Sequence, residues 1–176
     1  MSWRAEKTPK GLFELSKHAR KTIRDRVIQS SPRMEGKFTL DCAACGARGD
    51  ADSASRRCEI CDGPLVPAYP PTSLEDLDLP GMWRYFPRLP LLDKESIVTL
   101  GEGSTPRLDA PRLGAVLGLE QLTVKDETRN PTGSFKDRML AVGISRAREL
   151  GKTTVAVQSS GNVAAAAAAY AAKAGL

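Results

Sequence analysis

The pattern of apolar and polar positions changes character at residue 99 and from there alternates between short strands and helices. Asp109 is placed to cap a short helix over residues 110–117, with Pro111 early and Gly118 just past its end. Residues 121–125 predict a short strand, and residues 130–133 (Asn-Pro-Thr-Gly) a turn. Phe135, Met139, Val142 and Ala147 alternate with Leu140, Ile144 and Leu150 at helical spacing, and Gly151 stops that helix. Residues 153–158, rich in β-branched Thr and Val, predict a second strand. Ser159, Ser160 and Gly161 form a loop, and Asn162 opens an alanine-rich helix. A strand–helix–strand–helix order predicts an α/β fold, with a parallel sheet, flanking helices and right-handed crossovers.

Three segments precede this one. Residues 1–37 form a basic arm, with a helix predicted near residues 12–28. Residues 38–66 hold all four cysteines. Residues 67–98 form a connector dense in proline, with Pro67, Pro70, Pro71, Pro80, Pro87 and Pro90. That spacing forbids a long helix and favours an extended crossing segment.

Composition adds limits to this picture. The 176 residues are 41% hydrophobic and 27% charged, as in a soluble globular protein. No run of about 18 apolar residues is present, so no membrane-spanning helix is expected. The first residues lack the apolar core of a secretory signal, which makes the cytoplasm the expected location. Of the net charge of +5, the arm holds ten Lys and Arg against four acids. Without interleaved aromatics, that charge does not point to nucleic-acid recognition as the main task.

The cysteines fall into two pairs, Cys42 with Cys45 and Cys58 with Cys61, twelve residues apart. Two intervening residues let one turn present both thiolates to one metal. Gly46 and the Asp62–Gly63 pair supply the tight turns that follow. Four thiolates complete a tetrahedral shell, so a bound Zn²⁺ would be structural, in a zinc-ribbon-like module. Disulfides, an iron–sulfur centre and free thiols are the alternatives, and a reducing compartment disfavours the first. His18, the only histidine, is far from the cysteines in sequence and reads as a surface residue.

Two further signals carry chemistry. Gly133 and Ser134 feed a helix beginning close to Lys136, where the helix dipole and Arg138 favour a neutral amine. A neutral amine is what condensation with a carbonyl requires. Taken alone, Lys136 reads as an ordinary surface lysine, since lysine in a helix is common. Downstream, Ser159, Ser160, Gly161 and Asn162 precede a helix whose free N–H groups suit a carboxylate or phosphate. Asn162 could also be no more than the helix cap.

Together, the run Asn130-Pro-Thr-Gly-Ser-Phe-Lys136-Asp-Arg138 and the run Ser159-Ser-Gly-Asn162 resemble the fold-type-II, tryptophan-synthase-β-like family of pyridoxal-phosphate (PLP) enzymes. The stretch Leu100-Gly-Glu-Gly-Ser-Thr-Pro106, the stretch Gly81-Met-Trp-Arg-Tyr85 and the cysteine module are similar to its threonine synthase branch. The resemblance implies that Lys136 condenses with PLP and then moves protons at the substrate's Cα and Cβ. It implies that Asn162 bonds the cofactor's ring hydroxyl oxygen. Ser159, Ser160, Gly161 and Asn162 would hold the substrate carboxylate. Glu102, Ser104 and Thr105 would lie near the site's mouth, and Lys125 and Arg138 would be contributors to a second phosphate site. Val163 departs from the threonine often found there.

The implied reaction converts O-phospho-L-homoserine and water to L-threonine and phosphate, with PLP as electron sink. Dehydratases of threonine or serine, and cysteine or cysteate synthases, share the Lys136 and Asn162 pattern. A zinc-ribbon binding module carrying a degenerate enzyme remnant is the alternative from another class. The glycine-rich loop expected to hold the PLP phosphate and the contact to the pyridine nitrogen are not found. Residues 99–176 therefore read as the N-terminal part of an incomplete enzyme domain, binding PLP weakly and turning over little. A small amino-acid substrate is the expected partner, with a homodimer expected for a full-length form.

Overall fold

Four apolar side chains from the proline-dense connector, Trp83, Phe86, Leu91 and Val98, are almost wholly buried in the main core. The computed structural model describes residues 34–70 and 76–176, with two short strands nearer the N-terminus. Those strands, β1 (Glu6–Lys7) and β2 (Phe13–Glu14), pair antiparallel within the first of two structural units. The helix expected near residues 12–28 meets strand β2 at its start and otherwise lies outside the described residues.

The second unit begins at Arg33. Its strands β3 (Thr39–Cys42), β4 (Arg48–Gly49) and β5 (Leu65–Ala68) make an antiparallel sheet in the order β4-β3-β5. Strand β6 (Arg107–Asp109) pairs antiparallel with β7 (Thr123–Lys125) around helix α1 (Pro111–Leu117). Helices α2 (Lys136–Glu149) and α3 (Asn162–Ala174) pack against each other. No described helix is long and apolar enough to cross a membrane.

The connector is not the extended crossing segment its prolines suggest. Residues Gly81–Arg88 wind into a 3₁₀ helix, with Pro80 just before it and Pro87 inside it. Proline's missing N–H and its ring disfavour an α-helix here, yet tolerate this tighter winding. Its Met82, Trp83 and Phe86 then join Ala141 and Ile144 of α2 and Ala166 and Tyr170 of α3 in one core.

The loop before β6 interlocks with the start of this 3₁₀ helix. Gly81 (φ +62°) and Gly103 (φ +95°) lie where a Cβ would meet Glu102 O at 2.2 Å and Met82 N at 2.5 Å. Met82 N donates to Glu102 O at 3.3 Å. Only glycine allows backbones to approach this closely at a positive φ.

Three sequence expectations need correction. Asp109 does not cap α1: it is the last residue of β6, and Ala110 takes the cap position without a side-chain bond. Pro111 and the left-handed Gly118 do bound that helix as expected. Residues 153–158 form no strand, and among the described residues every strand pairing is antiparallel rather than parallel. β-Branched residues need a neighbouring strand to pack against, and apart from half-buried Val155 these side chains are exposed. The predicted face of α2 is also shifted: Ala141, Ile144 and Ser145 are buried, whereas Phe135 and Met139 are exposed.

The far end of α2 holds the cysteine-bearing sheet. Glu149 Oε1 accepts from Leu92 N at 2.7 Å and from Asp93 N at 2.6 Å. Arg146 donates to Glu149 and to Ala51 O, and its guanidinium lies 5.9 Å from the Phe38 ring centroid. Phe38, Ala51 and Leu92 form a small second core. Beside it Lys37, only 5% exposed, donates to Phe86 O and, at 2.6 Å, to Leu91 O. Its ammonium sits 3.7 Å from the Phe86 ring centroid.

Burial pushes Lys37 down to about 8, with nearby Glu149 opposing the shift and Lys94 adding to it. The unfolded chain, titrating near 10.5, therefore holds more protons between pH 8 and 10.5. Stability from this residue should rise with pH across that window and stay flat below it. Urea unfolding at pH 7.5 and pH 10 should show a gain in the wild type that Lys37→Met lacks. Equal pH responses in the two proteins would contradict it.

Candidate active site and cysteine cluster

The turn that delivers Lys136 is braced from both sides. Gly133 N donates to Asn130 O at 2.8 Å, and Gly133 takes φ +77°, so residues 130–133 make the predicted turn. Thr132 donates through its backbone N (2.7 Å) and its hydroxyl to the buried carboxylate of Asp137. Lys136 N donates to Ser134 Oγ at 3.2 Å. An acid in a helix's first turn complements the exposed N–H groups, so Asp137 also stabilises the start of α2.

Lys136 is the first residue of α2 and is half-buried. Its ammonium stands 4.4 Å from the Phe135 ring centroid. Among the described residues no hydrogen bond engages it, so the amine is available to a ligand.

Ser159, Ser160, Gly161 and Asn162 are all exposed. Gly161 rather than Asn162 caps α3, and Gly161 O accepts from Ala164 N (2.9 Å) and Ala165 N (3.2 Å). Gly161 N is taken by Ser159 Oγ at 3.2 Å. The N–H groups of Asn162 and Val163 and the Asn162 amide have no partner among the described residues. A helix N-terminus with free donors suits an anion. The two helices that begin at Lys136 and Asn162 share one core.

Other expected contributors sit elsewhere. Glu102 is not at a site mouth: it is fully buried, accepting from Trp83 Nε1 (2.6 Å), Tyr170 OH (2.7 Å), Leu100 N (3.0 Å) and Thr99 Oγ1 (3.2 Å). Thr105 is buried and donates to Glu127 Oε1 at 2.6 Å. Ser104 is exposed at a left-handed φ of 48°. Arg138, expected near a phosphate, instead donates to both oxygens of Glu127 at 2.6 and 2.7 Å. Lys125 donates to Thr105 O. These bonds hold the 102–106 loop against the turn before α2. The sequence reading missed Trp83, Glu127 and Tyr170, which bond Glu102, Arg138 and Glu102 across 19, 11 and 68 residues of chain.

The cysteines converge as their spacing predicts. All four Sγ atoms lie within 4.8 Å of one another, with Cys42 and Cys61 at 3.5 Å and Cys45 and Cys58 at 3.7 Å. The two turns repeat each other's bonding. Cys42 N donates to Ala47 O and Gly46 N to Cys42 O; Cys58 N donates to Gly63 O and Asp62 N to Cys58 O. Ala44 N and Ile60 N each reach a cysteine sulfur at 3.4 Å. The backbone N–H groups of Cys45 and Ala44 push the Cys42 thiol down to about 6. At Gly63 a Cβ would lie 2.8 Å from the Ala44 Cβ and 3.0 Å from Cys42 Sγ, so the cluster leaves no room for one. Four sulfurs so placed can hold one metal ion.

Residues 98–176 match the family described as pyridoxal-phosphate dependent enzyme. That segment contains Lys136, Asn162 and the loop that braces them. The PLP-enzyme segment and the sequence before it are similar to proteins named threonine synthase. The Methanosarcina acetivorans protein is 41% identical over 145 residues, covering 79% of this chain and 35% of that protein. The Methanocaldococcus jannaschii protein is 42% identical over 142 residues, 76% of this chain and 35% of its own. The Synechocystis protein is 48% identical over 93 residues, 52% of this chain and 24% of its own. The first match is too long for the PLP-enzyme segment alone and, wherever it starts, takes in Cys42 to Cys61. The chain thus spans about a third of the length of the curated relatives it matches.

Arg138, Thr105 and Asn130 hold Glu127 ionised, with Arg138 the largest influence, and carry its carboxyl down to about 2. Its stabilising effect is full above the unfolded value near 4.5 and is lost as pH falls from there towards 2. Glu127→Gln should cost about 1.5–3 kcal/mol at pH 7, the scale of a hydrogen bond to a charged group. It should also flatten the acid limb of stability between pH 4.5 and 2. An acid-unfolding profile unchanged by the substitution would contradict this role.

Proposed function

We propose that this chain carries the lysine-bearing part of a threonine synthase site, converting O-phospho-L-homoserine and water to L-threonine and phosphate in its full-length form. The carrying observation is Lys136: an amine with no hydrogen-bond partner among the described residues, at the first residue of α2, a helix packed beside one that opens at Asn162. Its setting in a stretch 41% identical to a protein named threonine synthase supports the choice of reaction.

The residues fit PLP in chemistry. The cofactor, when bound, supplies an electron sink for bond breaking at the substrate's α-carbon. Lys136 would anchor it through the amine and afterwards carry protons to and from Cα and Cβ. The Asn162 amide would donate to the ring hydroxyl oxygen. Ser159, Ser160 and the free N–H groups at the start of α3 would hold the substrate carboxylate. We further propose the organisation of the chain as arm (1–37), cysteine module (38–66), connector (67–98) and PLP-enzyme segment (99–176). Its place would be the cytoplasm, with a homodimer in the full-length form.

For the cysteine cluster the proposed ion is structural Zn²⁺. Tetrahedral Zn–S bonds of about 2.3 Å set sulfurs about 3.8 Å apart. The Cys42–Cys61 and Cys45–Cys58 separations of 3.5 and 3.7 Å are close to that. Residues 38–66 offer little core of their own, so the metal would supply much of the module's folding free energy.

Two measurements test this reading. Incubation with PLP, borohydride reduction and peptide mass spectrometry should place a pyridoxyl group on Lys136, at low occupancy, and none on Lys136→Ala. Label spread over many lysines would count against the assignment. Purified protein should hold one zinc per chain by elemental analysis. Cys45→Ser should lose most of it and lower the melting temperature. Zinc content unaffected by that change would sink the cluster assignment.

A further inference from the structure

Glu102 and Gly103 are neighbours in sequence, yet they reach two different helices. Tyr170 of α3 donates to Glu102 Oε2 at 2.7 Å. Gly103 N donates to Asn130 Oδ1 at 3.1 Å, and Asn130 opens the turn that delivers Lys136. The same Asn130 is buried and donates to Glu127 O and Glu127 Oε2, both at 2.9 Å. One dipeptide therefore ties the helix that begins at Asn162 to the turn that precedes Lys136.

The tie is stiff for identifiable reasons. Glu102 is 0% exposed, and its carboxylate accepts from four neutral donors. Trp83 Nε1 donates to one oxygen, while Tyr170 OH, Leu100 N and Thr99 Oγ1 share the other. Burial and the adjacent Glu102 both oppose ionisation of Tyr170, so the phenol keeps the proton it donates. The loop backbone cannot drift, because Gly81 and Gly103 leave no space between it and the 3₁₀ helix. Core stability alone asks for none of this. An apolar side chain of similar volume fills a core without the desolvation cost of a buried carboxylate.

We propose that Glu102 is a positioning residue, whose carboxylate fixes α3 against the 99–106 loop and so sets the Asn162 end relative to Lys136. The proposal rests on reading those two residues as one cofactor site. Glu102 touches neither of them and acts through Tyr170 on one side and through the Gly103–Asn130 bond on the other. Losing the Tyr170 bond frees α3 to shift without unfolding the core. Losing the carboxylate loosens the loop as well.

Amide hydrogen exchange read by mass spectrometry on the full chain separates a positioning role from simple support of the core. Tyr170→Phe keeps the ring and removes only the hydroxyl; Glu102→Gln keeps the shape and removes the charge. In both, amides 164–168 should exchange at least ten times faster, while those in the middle of α2 and in the β3–β5 sheet stay at wild-type rates. The apparent affinity for PLP, measured by borohydride trapping against PLP concentration, should fall several-fold. Wild-type exchange at 164–168 in both variants would overturn the proposal, and so would a uniform rise over α2, α3 and the sheet. If Glu102→Gln does not fold, Tyr170→Phe decides alone. Failure of the wild-type chain to trap PLP on Lys136 counts against the cofactor reading only, and the exchange pattern still decides the positioning role.

Discussion

The contact between α2 and α3 is the constraint on which the arrangement of residues 34–176 depends. Small side chains from both helices, Ala141 on one and Ala166 on the other, are fully buried in the core they share. Small residues let the two helices approach closely, and the bulk that fills the remaining space comes from Tyr170, Ile144 and the connector's Trp83, Phe86 and Leu91. Each helix then presents its first residue, Lys136 or Asn162, from a shared and rigid base. Helix α2 also ends in Arg146 and Glu149, which grip Ala51, Leu92 and Asp93. One rod thus joins the candidate amine at its start to the cysteine-bearing sheet at its finish.

That geometry explains why buried polar groups concentrate where they do. Glu102, Asp137 and Asn130 are buried, and each accepts from or donates to residues of other elements or turns. No buried side-chain nitrogen or oxygen among the described residues lacks a partner. A satisfied network of this kind specifies one arrangement, because any displaced partner leaves a buried group unbonded. The loop from Thr99 to Thr105 is therefore best understood as a bracket rather than a site wall, although its residues resemble a family motif.

Local chemistry was legible in the sequence, and long-range pairing was not. The two helices opening at Lys136 and Asn162, the turn at residues 130–133, the stops at Gly118 and Gly151 and the convergence of the four cysteines all follow from spacing and turn chemistry. Misreadings came where a partner distant in sequence decides the outcome. Asp109 looks like a cap until Thr123 pairs with it across β6 and β7. Residues 153–158 look like a strand, but propensity cannot create a neighbour. Proline spacing in the connector forbids a long helix, yet says nothing of a 3₁₀ turn that buries a tryptophan. The resemblance placed Glu102 at the site mouth. Only the positions of Trp83 and Tyr170 show that it points into the core.

The candidate donors are prepared but unsheltered. Asn162, Ser159 and Ser160 are exposed, and Phe135 beside Lys136 is 57% exposed. A charged ligand gains little from donors that water also reaches, since the high dielectric weakens every such contact. Close by in sequence, Leu108, Val124, Leu113 and the 81% exposed Val116 place apolar side chains in solvent around β6, α1 and β7. Both observations have one physical reading. The elements here fix where the Lys136 amine and the start of α3 stand, while walls that would exclude water from them are not made by the described residues. Preorganisation of the reacting groups and desolvation of the ligand are separate tasks in catalysis. On the proposed reading α2, α3 and their bracket serve the first, so weak PLP binding would be a matter of shelter rather than of geometry.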